Sequence, residues 1–172
     1  MKDKPNPFWD FSIDLYPQEG VKPACLALQT SMGVDVNILL VCYWLGAHKR
    51  TPLTADDMAG ILAYVDPWHQ MIVKGLREVR QRLKSGFPPV SSQQSKALRQ
   101  EILRTDLQAE KIEQVLLFDL LSDHPATSSM TGREIAASNL QLYLSAIGVQ
   151  ATDNDQSHLR TILERVFPET DP

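Results

Sequence analysis

The sequence predicts an all-α fold, an irregular bundle of seven or eight helices around a central apolar helix. Three observations predict it. Apolar residues recur at three- and four-residue intervals nearly everywhere, and no period-2 alternation marks a strand. Helix-start and helix-stop residues punctuate the chain at helical lengths. One segment, 36–47, is apolar on every side and holds a single strongly polar residue, Asn37, the pattern of a helix in the middle of a fold.

Helix one is expected over 7–16. Asn6 is a good N-cap, and Pro7 takes the first helical position, where the N–H it lacks would have no partner in any case. Phe8, Phe11 and Leu15 form one apolar stripe, and Trp9, Ile13 and Tyr16 a second beside it. Helix two covers 21–32, with Pro23 in its first turn and Gly33 as a left-handed stop. The apolar third helix starts at Asp35. It ends at His48, Lys49 and Arg50, which suit the negative end of the helix dipole. Thr54 and Asp57 open helix four, 55–64, as a capping-box pair. Asp66 is expected to cap a fifth helix running to 84, with Pro67 in first position and a stripe of Trp68, Ile72, Gly75, Leu76, Val79 and Leu83.

Ser85-Gly86-Phe87-Pro88-Pro89-Val90-Ser91 is the best linker, because two prolines after a glycine cannot continue a helix. The chain reads as one helical domain over 1–172; if it has two lobes, 1–86 and 91–172, they divide here. Residues 92–123 contain neither Pro nor Gly. Leu98, Ile102, Thr105, Ala109, Ile112 and Leu116 are spaced alternately four and three apart, a seam for antiparallel helix pairing. This is long for a globular helix, so a bend near Thr105-Asp106 would not be surprising, and the sequence leaves the continuity of the helix open. His124-Pro125 closes it. Thr131 and Glu134 form a capping box for the next helix, which carries Ile135, Leu140, Tyr143, Leu144 and Ile147 before Gly148. A last helix is expected over 156–167, and 168–172 should fray.

A length of 172 residues suits one domain. A net charge of −4 and a pI near 5.5 argue against bulk nucleic-acid binding. Cys25 and Cys42 sit in apolar runs with no His or Cys at metal-ligand spacing, and read as buried thiols in a reducing compartment, with a disulfide left open. The N-terminus has no apolar core of a signal peptide. The longest apolar run, 38–45, is far short of the ~20 residues that cross a bilayer. The cytoplasm is the expected location.

Eight of the twelve aromatic residues, and all three tryptophans, precede residue 69. The first half therefore holds either the densest packing or the working surface. Asp35-Val36-Asn37 opens the apolar helix. These two side chains either hold a cation or polar ligand at a helix N-terminus or satisfy first-turn N–H groups. Asn37 is an odd choice if that helix start is buried. His48 and His69 are each a candidate general base; the plainer reading makes His48 a helix-end cation and His69 a first-turn surface residue, which would leave His69 exposed. Asp66 with His69, and Asp155 with His158, have a spacing that can share a metal. Each Asp sits where a cap belongs, so no metal site is expected. Asp10 with Asp14, and Asp56 with Asp57, read as solvated charge near positive helix ends. Lys74, Arg77, Arg80, Arg82 and Lys84, opposed only by Glu78, form a basic face that either docks an acidic partner or complements the helix dipole. No phosphate loop, nucleophile elbow or dinucleotide fingerprint is present. No catalytic residue and no cofactor is assigned.

The stretches Asn6-Pro7-Phe8-Trp9-Asp10-Phe11-Ser12, Ala24-Cys25-Leu26-Ala27-Leu28-Gln29 and Gly33-Val34-Asp35-Val36-Asn37-Ile38-Leu39-Leu40 resemble a family of small proteobacterial proteins, a domain of unknown function. The resemblance covers roughly residues 6–123 and is most specific in the first fifty. It implies a bacterial, cytoplasmic, helical protein and brings no activity, cofactor or catalytic residue with it. It draws attention to Trp9, Asp35 and Asn37, which lie in the matching stretch.

The absence of a catalytic set favours a non-enzymatic protein-interaction or regulatory module. Its partner would be another protein, anchored through Phe8 and Trp9 or through the basic face of Lys74, Arg77, Arg80 and Lys84. The alternative is a small-molecule-binding protein or enzyme with its site where helices one, three and five meet. Its polar groups would be Asp35, Asn37, His48 and His69, and its walls Trp9, Trp44 and Trp68. That alternative requires at least two of the polar groups to converge on one pocket.

Overall fold

In the computed structural model, which describes residues 6–126 and 129–168, the chain is all-α. Its helices are α1 (Pro7–Leu15), α2 (Val21–Met32), α3 (Val36–Ala47), α4 (Ala55–Trp68), α5 (Lys74–Lys84), α6 (Ser92–Leu121), α7 (Gly132–Ala146) and α8 (Asp153–Val166). A π-helical segment, His69–Val73, joins α4 to α5. The expectations for the first five residues and for 169–172 fall outside the described residues.

Local chemistry accounts for the helix ends. Asn6 Oδ1 accepts from the N–H groups of Phe8 and Trp9, and Asp35 Oδ1 from that of Asn37. Thr54 with Asp57, Ser91 with Gln94, Thr131 with Glu134 and Thr152 with Asp155 close reciprocal capping boxes. Gly33 ends α2 at φ +67°, a left-handed conformation that favours glycine.

α3 is buried from Asn37 through Gly46. It packs most extensively on α7, and α1, α2, α6 and α8 also touch it. The α3–α7 approach is close because both helices offer a glycine at the crossing. A Cβ on Gly46 would collide with the carbonyl oxygen of Gly132, and one on Gly132 with that of Gly46. α5 and α6 form an antiparallel hairpin. Arg77 pairs with Glu110 and Arg80 with Asp106, so positions rise along one helix as they fall along the other.

Several sequence expectations are corrected. Asp66 does not cap a new helix: α4 runs on through Pro67 to Trp68. Proline has no N–H for the helical ladder and crowds the preceding turn, and the chain widens into the π segment directly after it. There the N–H of Lys74 donates to the carbonyl of His69, five residues back. The wider turn shifts the buried face. His69 and Val73 are buried, whereas Ile72 and Val79 of the expected stripe are exposed. The expected seam of α6 is also displaced. Leu98 and Ile112 are exposed, and the buried face is Ser95, Asp106, Ala109, Glu113, Gln114, Leu117 and Leu121. α6 itself is an uninterrupted helix of 30 residues.

Candidate functional site

Three helices and the π segment bring a polar cluster into the interior. Asp35 stands at the N-cap of α3, where the partial positive charge of the helix start favours a carboxylate. Asn37 lies in that helix's first turn, His69 opens the π segment, and Glu113 and Gln114 come from α6. All five are buried, Glu113 completely. Tyr143 of α7 completes the cluster, its hydroxyl accepting from the N–H of Asp35 at 2.8 Å.

The hydrogen bonds have a direction. Asn37 Nδ2 donates to Glu113 Oε1 at 2.9 Å, and Gln114 Nε2 donates to Asn37 Oδ1 at 2.8 Å. Asn37 N–H holds Asp35 Oδ1 at 2.8 Å. One oxygen of each carboxylate is thus tied by the same residue, and the two remaining oxygens face one atom. His69 Nδ1 lies 3.0 Å from Glu113 Oε2 and 3.0 Å from Asp35 Oδ2. The contact with Glu113 is a hydrogen bond; Asp35 Oδ2 is buried and accepts none.

The electrostatics follow. Burial would lower the imidazole, but its contacts with Asp35 and Glu113 outweigh burial and lift His69 to about 9. Burial raises Glu113 to about 7; the neighbouring Asp35 charge adds to this and His69 opposes it. Asp35, which burial would raise, is held below the usual carboxylate range by His69, by the side chain of Glu113 and by the N–H of Asn37. Three donor atoms thus converge around one proton.

Asp35 and His69 also face outward, into a cleft of about 210 Å³. Its polar wall adds Asp66, Gln70 and Tyr143, and its apolar wall includes Ile38, Leu62, Ile147 and Val149. Polar and apolar residues share the lining about equally, and the volume leaves room for a small polar molecule. The cleft is walled by the end of α2, α3, α4, the π segment and α7 with the turn after it, and helix one is not among its lining elements.

Residues 7–117 match the family described as "Protein of unknown function (DUF2390)". The chain belongs to this family. The matched span contains Asp35, Asn37, His69, Glu113 and Gln114, and Tyr143 lies beyond it. No curated protein and no solved structure matches the chain.

The other residues that the sequence offers as site candidates in this DUF2390 protein lie elsewhere. Trp44 is core, its ring 5.7 Å from that of Phe8 and 5.8 Å from that of Phe118. His48 stacks on Trp44, with Nδ1 3.0 Å from the Trp44 carbonyl oxygen. Trp68 donates its indole N–H to the carbonyl of Ala109. Trp9 is half-buried on α1, with Lys111 Nζ 5.5 Å from its ring centre. On the basic face, Arg77 and Arg80 pair with Glu110 and Asp106 of α6, Lys74 donates to Gln70, and Lys84 is exposed. Of the residues the sequence offers as candidates, the structure brings Asp35, Asn37 and His69 together, and it adds Glu113, Gln114 and Tyr143, which the sequence did not single out as site residues. The available signal for Glu113 was its place between Ala109 and Leu117, four residues from each, on a face that is otherwise apolar there.

Proposed function

We propose that the chain is a small-molecule-binding protein whose site is the cleft floored by Asp35 and His69, with chemistry centred on the Asp35–His69–Glu113 cluster. One observation carries this reading. Polar residues from three separated parts of the sequence are buried together and hydrogen-bonded into one orientation, and two of them line a cleft of mixed polar and apolar walls. Buried ionisable groups are unfavourable unless paired, and cleft residues with strongly shifted acidity are concentrated at functional sites. The interaction-module reading has less to draw on. Phe8 is buried, and Arg77 and Arg80 are engaged within the chain.

The test is a thermal-shift screen of small polar metabolites in EDTA, run on wild type and on Leu62→Trp, which fills the cleft. A ligand at a hundred times its dissociation constant stabilises the folded state by about 2.7 kcal/mol, several degrees for a domain of this size. Hits on wild type that vanish in Leu62→Trp support the reading. An empty screen, or hits that the tryptophan leaves unchanged, refutes it.

A further inference from the structure

The geometry points to a divalent transition-metal site built from Asp35 Oδ2, His69 Nδ1 and Glu113 Oε2. It takes the cleft as the small-molecule site proposed above and adds the ion that would activate a molecule bound there.

Four observations carry it. First, the distances fit. Donors at right angles around an ion, each about 2.1 Å from it, stand about 3.0 Å apart, and His69 Nδ1 lies 3.0 Å from each carboxylate oxygen. All three donor atoms lie within 4.8 Å of one another. Second, Asp35 Oδ2 is buried, aimed at the same point, and accepts no hydrogen bond. A single ring N–H serves one oxygen well, whereas a cation serves both. Third, the outer contacts are those that orient metal ligands. Asn37 holds the far oxygen of each carboxylate through its N–H and its amide, and Gln114 in turn holds the amide of Asn37. Fourth, two carboxylates and a neutral imidazole balance a dication and leave the buried cluster with no net charge.

The donor set selects the ion. One imidazole nitrogen and two carboxylate oxygens suit Mn²⁺, Fe²⁺, Co²⁺ or Zn²⁺ better than Ca²⁺ or Mg²⁺, which prefer all-oxygen cages, and better than thiophilic Cu⁺. Three protein donors leave positions free for water or a ligand atom. Asp35 and His69 both line the cleft, so the ion would sit against its floor. Asn37 is a positioning residue here, acting through the two carboxylates.

The experiment uses the full chain, stripped with EDTA and dialysed free of it, then titrated with Co²⁺, Mn²⁺ and Zn²⁺ by calorimetry. Co²⁺ binding is also followed by visible absorption and by the NMR signals of the four histidine rings. One equivalent of metal per chain is expected, and the ring of His69 should shift or broaden most. Asp35→Asn and Glu113→Gln should each weaken affinity by tenfold or more, and Asn37→Ala by about ten- to a hundredfold. The NMR readout on wild type needs no variant and decides the matter if a variant fails to fold. No binding, binding unchanged in Asp35→Asn and Glu113→Gln, or a Co²⁺ response confined to another histidine overturns the site. Metabolite hits in EDTA without metal binding would overturn this inference alone. Metal binding with an empty metabolite screen would overturn only the small-molecule reading.

Discussion

Asn37 is the residue on which the cluster turns. An amide in the first turn of an otherwise apolar helix needs a reason, since an unpaired buried amide costs a few kcal/mol. Its reason is that it makes three contacts in three directions: backbone N–H to Asp35, side-chain N–H to Glu113, side-chain oxygen from Gln114. Glu113 depends on it in return. Glu113→Ala removes the acceptor for Asn37 Nδ2 and one of the two carboxylates beside His69. Breaking a buried pair from one side is far more damaging than replacing the whole pair, so a loss of about 3 kcal/mol or more is expected in urea unfolding. Glu113→Gln keeps the volume and one acceptor and should cost clearly less. Equal costs for the two variants would mean that Glu113 matters only as filling.

At the scale of the element, α6 shows what pattern reading sees and what it does not. The apolar spacing of Leu98, Ile102, Thr105, Ala109, Ile112 and Leu116 is regular, yet Leu98 and Ile112 are about half exposed. The buried face runs through Asp106, Ala109, Glu113, Leu117 and Leu121, and two of those five are acidic. Hydropathy counts a buried carboxylate as a surface residue, so the seam came out one position off and Glu113 was hidden with it. The difference is measurable. Leu117→Ala should destabilise by about 2–5 kcal/mol, and Ile112→Ala by about 0.5 kcal/mol or less. The helix between residues 55 and 84 shows the converse. Asp66-Pro67 has the composition of a helix start, yet the chain stays helical through it in a helix that packs on α6 and α7. Local residues wrote Asp35, Asn37 and His69 plainly enough to be singled out. Their convergence depends on contacts across 76 and 44 residues of chain, which no local pattern carries.

For the whole molecule, the buried acids set a limit on alkaline stability. Burial, first among the causes, raises Cys25 and Tyr16 to about 12 and moves Cys42, Tyr43 and Tyr143 well above their ordinary ranges. The folded state holds these protons and the unfolded chain releases them from about pH 9 upward. Their stabilising contribution is therefore complete below that pH and is lost as pH rises toward the folded values. Each group contributes up to about 1.4 kcal/mol per pH unit in that window. Urea midpoints should fall steeply from pH 8.5 to 10.5, and the Cys25→Ala/Cys42→Ala double variant should show a shallower fall. A flat profile in wild type would mean that these groups ionise without unfolding. The fold class, the apolar third helix and several of the caps (Asn6, Asp35, Thr54 with Asp57, Thr131 with Glu134) are readable in the sequence, because periodicity and end chemistry are local. The cluster as a unit was not, because it is a property of how the helices meet.

The π segment sets a condition on any rewinding of this helix. A turn closed five residues back holds one residue more than its neighbours. Excising one residue between His69 and Val73 would give an evenly wound rod from Ala55 to Lys84, with better local hydrogen bonding. It would also rotate everything on one side of the cut by about 100° against the other. Either His69 would swing away from Asp35 and Glu113, or Arg77 and Arg80 would leave their partners on α6. A smooth helix and this convergence of side chains are mutually exclusive, and the chain has the irregular one.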